Sequence, residues 1–173
     1  MSDTTITTPI NSNFLSPNNF KFILKRAPTV EFFIQNISIP GIRLQNIKIG
    51  TPLIKFPVTG EHLDFDDLRI NFKIDENMAN FLELYDWVTG IGKLTFDGYK
   101  ALKSNDIYTG KSIYSDISVI VLDSHKNPNV EIIFKDTLIN NLGGFELQTD
   151  VAGINYLEST ASFEYVSYSV TKL

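Results

Sequence analysis

The chain has 173 residues, of which 43 % are hydrophobic and 20 % charged, the proportions of a soluble globular protein long enough to bury a core as one domain. A formal net charge of −5 argues against a protein that grips nucleic acid by its phosphates; Lys25–Arg26 is the only adjacent Lys/Arg pair. Cysteine is absent, which excludes disulfides, thiolate metal sites and cysteine nucleophiles and fits a cytosolic life. No run approaches the ~20 apolar residues of a membrane span. The opening MSDTTITTPINSN has neither the basic nor the apolar region of a secretion signal.

Residues 1–19, rich in Thr, Ser, Asn and Pro, read as an arm that is flexible or ordered only by a partner. From Phe20 the chain alternates, with Phe22 and Leu24 on the same side, and Val30 to Ile37 reads as a second extended run. The two predict a hairpin. Residues 39–63 form a Pro/Gly-punctuated zone carrying Pro40, Ile42, Leu44, Ile47, Ile49, Leu53, Ile54, Phe56 and Val58. Prolines of this density suit edges and bulges, so a long irregular hairpin or extended loop is expected. Free in water it would expose too much apolar surface, which makes these nine residues candidates for an interface.

Between Asp64 and Gly92 the period changes. Leu68, Ile70, Phe72 and Ile74 alternate as a strand, and a helical pattern follows at once. Met78, Phe81, Leu82, Tyr85, Trp87 and Val88 are its expected packing residues. Asp75 stands where an N-cap would, Glu76 suits the helix dipole, and Gly90-Ile91-Gly92 should end the helix. Residues 93–115 are polar, with a short helix expected near Tyr99–Lys103. Asp116–Leu122 and Val130–Lys135 around the turn Ser124–Asn129 predict a hairpin. Phe145–Gln148 is a short run beyond Gly143-Gly144. Ser159–Val170 alternates as one closing strand with aromatic residues on both faces, a pattern suited to burial or assembly.

Chemistry has little to stand on. His62 and His125 are isolated, without a metal-binding spacing, and read as surface or turn residues. Asp64, Asp66 and Asp67 flank a strand entry. There is no GxSxG, GxGxxG or P-loop, so neither an enzyme nor a cofactor is expected.

The order of features resembles the tail tube proteins of contractile-tailed bacteriophages and the tube-like baseplate proteins that start the tube. The likeness is carried by the strand FDDLRINFKID, with Leu68, Ile70, Phe72 and Asp75, and by the helix NMANFLELYDWV, with Asn80, Tyr85, Asp86, Trp87 and Val88. The closing alternation TASFEYVSYSV adds to it, so that it spans residues 20–170. It implies a mainly β fold, an antiparallel sandwich or barrel with a single flanking α-helix, as one domain over 20–173. It further implies hexameric rings that stack into a tube in the virion tail, assembled in the host cytoplasm, with residues 39–63 reaching a neighbouring subunit. Sheath and baseplate or tail-terminator proteins would be its partners. DNA would pass through the lumen without sequence-specific binding, and an acidic wall would repel its phosphates.

Within that resemblance the length suits a repeating tube subunit, with a tube-like initiator or a tail-terminator ring as alternatives. A reading of a different class is a monomeric β-sandwich binding module using Tyr99, Tyr108 and Tyr114 as a ligand platform. An apolar, proline-broken segment is hard to reconcile with a lone monomer.

Overall fold

Phe20 to Leu24 alternates because one side of the strand enters a core: Phe22 and Leu24 are buried and Lys21 is exposed. The computed structural model describes residues 13–50, 53–92, 100, 112–149 and 156–173. Among these lie nine strands and two helices. They are β1 (Phe20–Leu24), α1 (Val30–Phe33), β2 (Ile34–Ser38), β3 (Ile42–Gly50), β4 (Lys55–Phe65), β5 (Leu68–Lys73), α2 (Ala79–Gly92), β6 (Ser115–Leu122), β7 (Pro128–Leu142), β8 (Glu158–Glu164) and β9 (Ser167–Lys172). Every pairing between strands is antiparallel. The helix expected near Tyr99–Lys103 falls outside the described residues except for Lys100.

The spine is β7. On one edge it pairs with β6, with Ile117 opposite Phe134 and Val121 opposite Val130. On the other edge it changes partner: β9 runs beside Val130–Lys135 and β8 beside Leu138–Leu142. Asp136, at φ 52°, sits where the change occurs, a left-handed conformation that Asp tolerates better than most residues. The sheet therefore runs β1-β6-β7-β8-β5-β2, with β9 as an extra partner of β7. One contiguous core draws on both halves. Phe22, Ile117, Val119, Ile132 and Phe134 come from one, and Leu68, Ile70, Phe72, Ala161 and Phe163 from the other. Alternation in sequence becomes this core because a strand offers one face to each side.

Three expectations fail locally. Phe20–Leu24 and the segment after it do not form a hairpin, since β1 pairs with β6 and β2 with β5. Val30–Phe33 coils into a helical turn instead, so α2 is not the single helix. Val30 is fully buried, its N–H is bonded to Ala27 O at 3.2 Å, and Glu31 reaches back to accept from Leu24 N at 2.9 Å. Burying Val30 and Ala27 together outweighs the strand preference of V-E-F-F. The closing strand is broken at Tyr165–Val166 into β8 and β9, which lie along different stretches of β7. Within α2, which runs to Gly92 with the expected glycines in its last turn, Gly90 is buried and so belongs to the packed face.

That face is offset from the expected one. Its buried residues are Asn80, Leu84, Trp87 and Gly90, at helical spacing, flanked by partly buried Phe81, Val88 and Ile91. Leu82 and Tyr85 point outward, 48 % and 50 % exposed. Met78 precedes the helix with φ 56°. Asn80 is apolar-face in position and polar in kind, and bonding explains it. Its Nδ2 donates to Lys73 O at 2.7 Å, and its Oδ1 accepts from Phe81 N at 2.8 Å, stitching the end of β5 to the start of α2.

Candidate assembly surface

Ile42–Gly50 and Lys55–Phe65 pair as the two-stranded hairpin β3–β4, a sheet separate from the body among the described residues. Ile42 pairs with Phe65, Leu44 with Leu63, Ile49 with Phe56 and Gly50 with Lys55. The register shifts between Leu44 and Asn46, and there the apolar alternation changes phase, from 42 and 44 to 47 and 49. A bulge accommodates such a change, because extra residues on one strand release the other from strict period two. Gly60 lies on the longer, β4 side of this bulge, against Gln45. A Cβ built on it would overlap the backbone carbonyl of Gln45, and a carbonyl cannot move aside as a side-chain tip can. Gly60→Ala is therefore expected to loosen the hairpin by about 1–3 kcal/mol, the usual cost of overpacking. Faster amide exchange over 42–50 and 55–65 with an unchanged body would register it, and unchanged exchange in the hairpin would contradict it.

The hairpin shows its apolar side chains to solvent. Leu53 near the tip is 94 % exposed, and Ile42, Leu44, Ile49, Ile54, Phe56 and Val58 are all exposed as well. The side chain of Ile47 lies outside the described set. Pro40 differs from the other expected interface residues in being buried, at the hairpin's root. A two-stranded hairpin is marginal in water by itself, and one bearing this much apolar surface calls for cover.

At the root, two tyrosines hold both legs. Tyr165 donates its hydroxyl to Asp66 O at 2.9 Å, just past β4, and Tyr168 donates to Pro40 O at 3.4 Å, just before β3. Phe65 lies 5.8 Å from each of their rings, and Phe134 lies 5.0 Å and 5.3 Å from them on the core side. Burial, and after it the neighbouring Tyr168, Asp66 and Asp67, pushes the Tyr165 phenol up to about 12, so at neutral pH it carries the proton it donates. Two of the three acidic residues have structural work here. Asp66 pairs with Arg43 at 3.2 Å and Asp64 accepts from Gln45 Nε2 at 2.9 Å. The hairpin's charged pair is exposed and worth little in stability.

The remaining expected residues are dispersed. Asp75 accepts from Asn80 N at 3.1 Å from ahead of the helix, satisfying an early N–H of α2 without occupying the cap position itself. Trp87 is fully buried, donating its Nε1–H to Ile113 O at 3.0 Å with the Arg26 guanidinium 5.4 Å from its ring. His62 is exposed on β4, and His125 lies in the β6–β7 turn, where Asp123 Oδ1 accepts from His125 N and Asn127 N. Tyr114 is 44 % exposed, while Tyr99 and Tyr108 lie outside the described residues. No helix among the described residues is long and apolar enough to cross a membrane. Sequence reading missed the tyrosine pair at the hairpin's root. The strand break at Tyr165–Val166 brings these two, three residues apart, to one side, and an unbroken alternation would separate them.

Comparison with known proteins places this architecture. No family model matches the chain. In sequence it is 24 % identical over 167 residues to the tail tube terminator protein of Enterobacteria phage T4, covering 92 % of this chain and 90 % of that one. In structure it matches the tube-terminating cap of the anti-feeding prophage, with TM-score 0.66, 9 % identity and coverage of 99 % and 100 %. It also matches a chain of the sheath–tube complex of the PVC extracellular contractile injection system in its extended state, with TM-score 0.66, 8 % identity and 94 % of each chain covered. The fold is of the tail-tube type, mainly antiparallel β, and the likeness to tail tube proteins extends to terminators.

Proposed function

We propose that this chain is a structural, non-enzymatic component of a phage-type contractile tail, and that its place is the ring that ends the tail tube. The end-to-end similarity to a tail tube terminator carries this reading. An end position departs from the repeating subunit that chain length alone favours. In this role six copies close into a ring seated on the tube, and the work of the protein is interface geometry. The β3–β4 hairpin supplies one contact: Ile42, Leu44, Ile49, Leu53, Ile54, Phe56 and Val58 are apolar, exposed and held clear of the core. The net charge of −5 suits a conduit through which DNA slides, since a negative wall does not hold phosphates. Sheath and tube proteins are the neighbours such a ring would meet.

Negative-stain electron microscopy across a concentration series, with mass by light scattering, tests it. Hollow sixfold rings that do not lengthen with concentration are the expected result. Tubes growing with concentration would move the chain to the repeating position. A strict monomer at every concentration, even with preformed tail tube added, would overturn the reading.

A further inference from the structure

The two tyrosines at the hairpin's root stand on either side of the break that creates β9. Tyr165 directly follows β8, and Tyr168 sits within β9 opposite Phe134. Across the break the chain keeps hold of β7 through Val166 N to Lys135 O at 3.2 Å. One short segment thus grips both legs of the hairpin, through Asp66 O and Pro40 O, and shares the ring of Phe65 with it. Among the described residues β9 pairs only with β7, so its outer edge has no strand partner. Among the described residues the hairpin has no sheet pairing to the body either.

We propose that Tyr165 and Tyr168 form a clamp that sets the pitch of the β3–β4 hairpin and couples it mechanically to β9. A hairpin held at its root by these bonds can swing about that root, and its swing must carry the two carbonyls away from the two hydroxyls. Holding the carbonyls holds the hairpin, and displacing the hairpin pulls on the strand that bears Tyr168. The device makes the projecting arm and the free edge of β9 one coupled unit. Its use in assembly rests on the ring reading above: a second copy that seats the hairpin would also order the β9 edge.

Hydrogen exchange on the full chain at a dilution where it is monomeric tests the clamp apart from that reading. Tyr165→Phe with Tyr168→Phe keeps the rings and removes the two hydroxyls. Exchange over 42–50 and 55–65 should rise about tenfold, as expected for the loss of two modest hydrogen bonds, while β6 and the β6-paired half of β7 hold. In the reverse direction, Phe65→Ala should speed exchange over 167–172. Unchanged hairpin exchange in the double variant overturns the proposal. So does a rise spread over the whole molecule, which would make the hydroxyls merely structural, or an unmoved β9 in Phe65→Ala. Light scattering of the same samples at high concentration reports separately on ring formation. Failure there, with the exchange effects present, refutes the ring and leaves the clamp.

Discussion

Replacing residues 44–63 with an Asn-Gly turn is expected to leave a folded chain that does not form the ring proposed above. The cut falls where the structure tolerates it. Arg43 and Asp64 are paired across the hairpin, so a two-residue turn can rejoin them, and Asn-Gly provides the backbone twist such a turn needs. The root is spared: Pro40, Phe65 and Asp66 stay in place for Tyr165 and Tyr168. None of the described core residues lies within the deleted stretch, so the body loses little. What the chain loses is its exposed Leu53, Ile54, Phe56 and Val58, the surface that a neighbour would bury. At ~25 cal/mol per Å² of apolar area, several such side chains per contact amount to several kcal/mol, enough to decide whether a ring persists at micromolar concentration. Circular dichroism and light scattering together check it. Intact rings from the shortened chain would show that the hairpin is not an interface, and an unfolded product would show that it belongs to the core.

Trp87→Ala should cost about 3–5 kcal/mol in unfolding free energy, the range for emptying a fully buried large aromatic site. Three losses combine. The indole leaves a void beside Phe163, whose ring lies 6.0 Å away. Ile113 O loses its donor in a buried setting. The Arg26 guanidinium loses the ring face it lies over, while its Nη1 bond to Ser112 O at 2.5 Å persists. Since small domains hold only about 5–15 kcal/mol in total, the variant should melt far lower. Urea titration measures it, and a loss under about 1 kcal/mol would mean that Trp87 does not anchor α2. Tyr85→Ala, on the same helix but half exposed, should change stability by a few tenths of a kcal/mol and serves as the control.

The strands that alternate cleanly were legible from the chain, because each buries one face. Leu68, Ile70 and Phe72 are fully buried, as are Ala161 and Phe163 or nearly so, and the hairpin through Ser124–Asn129 forms as its turn signals predict. The helix was legible, but its buried stripe was not. Apolar residues outnumber the positions that one face can hold, so the expected stripe took Leu82 and Tyr85 and passed over Leu84, and the buried Asn80 gave no apolar signal. For the projecting hairpin, proline and glycine spacing marked the segment, and only the root contacts show how it is held.

By itself the sequence determined the mainly β character, the strand-to-helix switch after Ile74 and the apolar character of residues 42–58, since these depend on local period and composition. Tertiary structure alone decided which strands became neighbours. It sent β1 to β6 and β2 to β5, coiled Val30–Phe33 into a helix, and split the last strand so that Tyr165 and Tyr168 could meet the hairpin. Pairing is settled by the shared burial of residues far apart in the chain, and a local pattern carries no record of which distant strand will cover it.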